Sequence, residues 1–191
     1  MRFILFIVIL FSFLTSFSQK PCPIYGDKPL KKFQVSDSLK NRPLPLKQIT
    51  PIKVYQASEF INLHKPDTGL YSPSNFIAVE GYIVDVKWGG SETCNCHSKD
   101  QKDLDIHIEF AATSNETDGK KIMVCEMSRF TRGNLTLSDV KKYIGHKVKI
   151  YGYLFFDGEH WQNAVNTNPK GTNLWRSTCW EVHPVVKIEQ E

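Results

Sequence analysis

Ile77-Ala-Val-Glu-Gly-Tyr-Ile-Val84 is the stretch that decides the fold. Ile77, Val79, Gly81 and Ile83 alternate with Ala78, Glu80, Tyr82 and Val84, and side chains two apart share one face of a strand. Gly81 at its centre permits the sharp bend a small barrel needs where one strand serves two sheets. Beyond a loop over 89–102, Ile106, Ile108 and Phe110 alternate with Asp105, His107 and Glu109, which predicts a half-buried second strand. After Asn115, Asp118 and Gly119 the chain returns as a third strand over 121–127. Thr136 is a good N-cap, Leu137, Val140, Tyr143 and Ile144 form one stripe, and Gly145 is a stop, so 136–144 reads as a short helix. A fourth strand covers 147–156. Trp180, Val182, Pro184, Val186 and Ile188 share one parity and predict the fifth.

Three strands, a helix and two strands is an order that resembles the OB-fold, a five-stranded Greek-key barrel with its helix between strands three and four. The resemblance covers residues 76–190 and implies an all-β domain. It also implies a ligand face across strands two and three, between the loops joining strands one to two and four to five. A small barrel of SH3 type is the alternative architecture. Trp180-Glu-Val-His-Pro184, together with Phe156-Asp-Gly-Glu-His160, resembles a poorly characterised group of secreted bacterial OB-like proteins, a likeness that implies no activity.

Met1-Arg2 followed by an apolar run from Phe3 to Phe17 and closing on Ser18-Gln19 predicts a signal peptide over 1–19, since a membrane span needs about 20 apolar residues. The protein is therefore expected to be secreted or periplasmic, with no membrane span after cleavage. Removing that segment leaves 23 basic against 20 acidic side chains, a net of +3, unlike the strong basic excess of a dedicated nucleic-acid binder. Residues 20–73 are rich in Pro and Lys and predict an extended arm, with a short docked helix near Ser58 and Glu59. The barrel domain is expected over 74–191.

All five cysteines lie beyond residue 19. Cys94-Asn-Cys96-His97 falls in the first inter-strand loop, near His107. Thiolate and imidazole are suitable donors for a divalent metal such as zinc, and Cys94, Cys96, His97 and His107 are candidate ligands. The one-residue spacing is a weak zinc signal, and in an oxidising compartment the favoured reading of the loop is a disulfide from Cys94 or Cys96 to Cys22, Cys125 or Cys179.

A second constellation joins Asp105 and His107 on strand two, Glu126 and Arg129 at the end of strand three, and Glu181 and His183 on strand five. With Ile106, Ile108, Trp180 and Val182 inward, strand alternation turns these groups out, and the last loop adds His160 and Arg176. Such a surface can bind a ligand, hold a divalent metal or do acid/base chemistry. Trp88, Trp161, Trp175 and Trp180 fall at strand ends or in loops at one end, where core and loop packing is the favoured role because Trp180 shares its parity with buried positions, and stacking on sugars or bases is the alternative. The chain carries no Gly-rich phosphate loop, no G-x-S-x-G elbow and no H-E-x-x-H motif. Secreted nucleases on an OB-fold resemble it in fold and export, but their paired aspartates and arginines are imitated only loosely by Asp103, Asp105, Glu126 and Arg129. The residues favour a binding module for sugar, peptide, nucleic acid or protein. A metal-dependent hydrolase of phosphodiesterase or nuclease type, working from the His/Asp/Glu surface, is the alternative.

Overall fold

The computed structural model describes residues 21–43, 52–69 and 71–191; the expected signal peptide lies outside them. Six strands, β1 (Lys53–Gln56), β2 (Phe76–Trp88), β3 (Ile106–Ala111), β4 (Ile122–Met127), β5 (Lys147–Phe156) and β6 (Trp180–Gln190), are accompanied by three helices, α1 (Lys31–Lys40), α2 (Ala57–Ile61) and α3 (Leu137–Lys141). The strand order β2-β3-β4-β6-β5 closes on itself through β2–β5 pairing, and β1 adds alongside β2. Only β4–β6 is parallel within this ring. With α3 between β4 and β5, this is the five-stranded OB-fold-like barrel expected from the element order.

Closure depends on β2 serving two neighbours. Residues 76–82 pair with β5 and residues 82–88 with β3. Gly81 sits at the changeover, where a Cβ would meet Ala111 O at 2.7 Å and the Phe110 ring at 2.9 Å. A side chain there would push the strands apart, so the bend requires glycine. Ile77, Val79, Ile83, Ile106, Ile108, Phe110, Met123, Cys125, Val148, Ile150, Leu154, Trp180 and Val182 fill the interior.

The parity expected for β6 holds for Trp180 and Val182 and then breaks. Leu154 pairs with Val182 but Gly152 with Val185, and Ile150 with Ile188, so β6 bulges twice. Val185, not Pro184 or Val186, is the next core residue. Pro184 has no N–H to give to the ladder, and a bulge is where a strand accommodates it.

α3 begins as expected, with Thr136 Oγ1 accepting from Asp139 N and the Asp139 carboxylate accepting from Thr136 N. Val140 is buried, whereas Ile144 turns out to solvent. α2 lies where a docked helix was expected, with Glu59 as the acidic half of its capping box. Its Phe60 packs against Tyr55 and Tyr71, and Tyr71 in turn against Trp180.

The arm departs most from expectation. Residues 31–40 form a helix in place of extended chain, and they dock with a polar side. Asp37, Lys40 and Asn41 are buried, while Val35 faces solvent. Asn41 Nδ2 donates to Cys94 O at 2.8 Å and Ile24 O at 3.0 Å, and Thr93 Oγ1 donates to Asp37 Oδ1. Arg42 spans the seam from Leu154 O to His183 O and stacks on Tyr153. The Cys22–Cys96 disulfide fixes the arm to the first inter-strand loop, where Cys96 takes a left-handed backbone with φ 53°.

Candidate functional site

Barrel registry builds the site. His107 and Glu126 are cross-strand partners on β3 and β4, and the parallel β4–β6 pairing carries the row on to Glu181 and His183. All point away from the core, as alternation requires. They are nevertheless not an exposed surface: α1 and the two long loops cover them, leaving His183 0% and Glu181 1% exposed, with Asp105, His107 and Glu126 also buried. Alternation determines the face a side chain takes, not whether another element lies over it.

A charge network satisfies most of this burial. Arg176, fully buried, donates from Nη2 to Glu181 Oε1 at 2.6 Å and from Nε to Thr178 O at 2.8 Å. The His183 ring is held between three carboxylates: Nδ1 lies 3.3 Å from both Glu181 Oε2 and Glu126 Oε2, and Nε2 lies 3.5 Å from Asp105 Oδ2. His107 Nδ1 meets Glu126 Oε1 at 2.8 Å. From α1, Lys40 Nζ donates to Glu92 Oε2 at 2.8 Å and approaches Asp157 at 3.9 Å.

Burial and neighbouring charge set the protonation states. Desolvation alone would discharge His183, but the close carboxylates of Asp105, Glu181 and Glu126 outweigh it and hold its pKa up at about 10. Burial would raise Glu126, and His107 and His183 instead bring it down to about 2. Glu181 is likewise depressed despite its burial, chiefly by Arg176. Asp157 goes the other way: burial, reinforced by Glu181, lifts it to about 6 against the pull of Lys40 and Arg176. Burial also pushes the Cys94 and Cys125 thiols up, so neither is a ready nucleophile.

Above this floor opens a pocket of about 320 Å³. Trp88 and Trp175 are among its walls, Gly89, Gly90 and Glu92 come from the first inter-strand loop, and His160 from the last. His107, Glu126, Arg176 and Glu181 line it with polar groups. His160 packs edge-on against Trp175 with centroids 5.0 Å apart, and the Arg176 guanidinium lies 5.2 Å from the same ring. His107 Nε2 and Arg176 Nη1 are buried yet have no hydrogen-bond partner among the described residues.

The residues singled out in the sequence therefore divide. Asp105, His107, Glu126, Glu181, His183 and Arg176 come together, with His160 at the rim. Arg129 does not join them: it pairs with Asp103 Oδ1 at 3.1 Å, binds Cys22 O and stacks on Phe130. The set Cys94, Cys96, His97 and His107 is not assembled as a metal centre. Cys96 is committed to Cys22, His97 is exposed beside Asp27, and Cys94 Sγ donates to Glu92. Cys94, Cys125 and Cys179 are free thiols, so Cys22 was the correct member of the expected disulfide partners. Lys40, Glu92 and Asp157 belong to the network without having been foreseen. Lys40 sits in the arm, where nothing in the sequence sets it apart from its neighbours.

No curated protein matches the chain. Among the described residues no helix is long and apolar enough to cross a membrane. A family model described as a domain of unknown function (DUF6359) matches residues 69–156, the stretch from β2 to β5 that carries His107 and Glu126, and over that stretch the chain is similar to that family.

Proposed function

We propose that this protein is an exported binding module that takes a small polyhydroxylated ligand, of the size of one sugar ring, in the Trp88/Trp175 pocket. The observation that carries the reading is the pair of buried, unpartnered nitrogens on the pocket wall, His107 Nε2 and Arg176 Nη1. A buried polar atom without a partner costs about 1–3 kcal/mol, and a ligand oxygen would recover that cost. The pocket's volume is that of a small-molecule site, and its position matches the ligand face of an OB barrel.

The lining narrows the ligand class. Glu92, Glu126 and Glu181 accept hydroxyl protons, as does His107 Nε2 once Nδ1–H is given to Glu126, Arg176 donates, and Trp175 offers a flat apolar face. The same carboxylates repel a polyanion, which argues against nucleic acid as the occupant. Export is supported by the apolar segment before Gln19 and by the Cys22–Cys96 disulfide, a bond that persists in oxidising compartments.

The test is a panel of monosaccharides titrated against the protein, read by tryptophan fluorescence. A saturable change for at least one sugar, abolished by Trp175→Ala in a folded protein, is expected. A flat response across the panel, alongside binding of a peptide or oligonucleotide, would overturn the ligand class.

A further inference from the structure

We infer that Asp105, Glu126 and His183 form a binding site for one divalent transition-metal ion of the zinc class, supported by Glu181, Arg176 and His107. One ligand atom from each of the three lies within 4.8 Å of the others, and all three residues are buried. Two carboxylates and an imidazole are a donor set that borderline divalent ions favour, and three protein ligands are typical of sites that keep a position open.

The surrounding bonds are arranged as a metal site requires. His183 Nε2 has no hydrogen-bond partner and is fully buried, 3.5 Å from Asp105 Oδ2. Its other nitrogen, Nδ1, is held by Glu181 Oε2 at 3.3 Å, and Glu181 is fixed in turn by Arg176 at 2.6 Å. A carboxylate on the far nitrogen orients a ligating histidine and raises its basicity. On Glu126, Oε1 is taken by His107, and Oε2 faces the His183 ring from its Nδ1 side at 3.3 Å. His183 and Glu126 therefore each have one atom held from outside the triad and another inside it.

Charge and access agree with this assignment. In the network around His183, the carboxylates Glu92, Asp105, Glu126, Asp157 and Glu181 outnumber the cations Lys40, Arg176 and His183. A divalent ion brings two positive charges to a cluster in which carboxylates are in excess. Glu126 belongs both to the triad and to the pocket lining, so the pocket supplies a route for the ion. This set differs from the Cys94/Cys96/His97 loop in position and chemistry, since it contains no sulfur.

The experiment uses the full exported chain, stripped with chelator and titrated with Zn²⁺ by calorimetry and with Co²⁺ by visible absorption. One ion per chain is expected, with a cobalt spectrum free of any sulfur-to-metal charge-transfer band. Asp105→Asn and Glu126→Gln should abolish binding, and His97→Ala should leave it unchanged. Glu181→Gln should weaken affinity by about 10–100-fold, the usual effect of losing an orienting partner. The cobalt spectrum needs no variant, so it decides the matter even if the buried substitutions fail to fold. Absence of stoichiometric binding, a thiolate band, or binding lost in His97→Ala would each overturn the inference. The sugar panel is independent: a protein that binds zinc and no sugar supports this site while overturning the ligand class above.

Discussion

Lys40 Nζ, on a helix that shows no apolar stripe, donates to Glu92 Oε2 at 2.8 Å on the first inter-strand loop. With Asp157 also near, this lysine is buried among opposite charges at the point where the arm meets the barrel. Among the described residues the arm docks through charged and polar contacts, and it forms part of the roof over the His183 cluster.

Removing that cation leaves Glu92 and Asp157 without their counter-charge in a poorly solvated place. Lys40→Ala should lower stability by about 3–5 kcal/mol, the usual cost of breaking a buried pair from one side. Urea denaturation measures it. A change below about 0.5 kcal/mol would mean that the helix does not hold the roof in place.

The disulfide is the second attachment. Cys22 and Cys96 are 74 residues apart, so the loop they close is long, and chain entropy alone predicts a stabilisation of roughly 4 kcal/mol. Thiol counting on denatured, unreduced protein should find Cys94, Cys125 and Cys179 and no others. The Cys22→Ser, Cys96→Ser double variant should melt at a clearly lower temperature. Five reactive thiols in protein taken from its native host would contradict the bridge.

Asp157 gives a pH dependence whose sign is opposite to that of an ordinary paired carboxylate. Its folded pKa is raised from 3.8 to about 6, so between those values the unfolded chain has released a proton that the folded protein still holds. Stability attributable to this group falls as pH rises through that window, and the loss persists above it. Asp157→Asn keeps an oxygen for the Glu159 N–H and removes the charge. The variant should be more stable than the parent at pH 8, by about 1–3 kcal/mol, and the two should converge below pH 4. A variant less stable at pH 8 would show that Asp157 serves Lys40 and Arg176 as a charged partner after all.

Strand alternation made the barrel interior readable in advance: Ile77, Val79, Ile83, Ile106, Ile108 and Phe110 are inward as a period of two requires. Capping chemistry made α3 readable, because Thr136 and Asp139 satisfy each other's backbone N–H locally. α1 was not readable. A helix is recognised by its apolar stripe, and here the docking side is Asp37, Lys40 and Asn41, whose partners on the barrel, Thr93, Glu92 and Cys94, are more than fifty residues away in the chain. The same blindness hid the burial of His183 and Glu181. Their outward direction followed from Trp180 and Val182, but the cover over them comes from long-range contacts that no local pattern encodes.

Pocket residues should separate binding from stability. His160 is partly exposed at the rim, and its substitution removes a contact to Trp175 without opening the core. His160→Ala and Trp175→Ala should each weaken sugar binding at least tenfold, about 1.4 kcal/mol, with unfolding midpoints near that of the parent. Equal losses of stability and affinity would assign both residues to holding the last loop in place.

The most direct test of the pocket as a ligand site is two-dimensional NMR of isotope-labelled protein with the best-binding sugar added stepwise. Saturable shifts of the Trp88 and Trp175 indole N–H signals and of the Gly89 and Gly90 amides are expected, with α3 and β1 unperturbed. Shifts confined to α3 and β1, or none at saturating ligand, would contradict it.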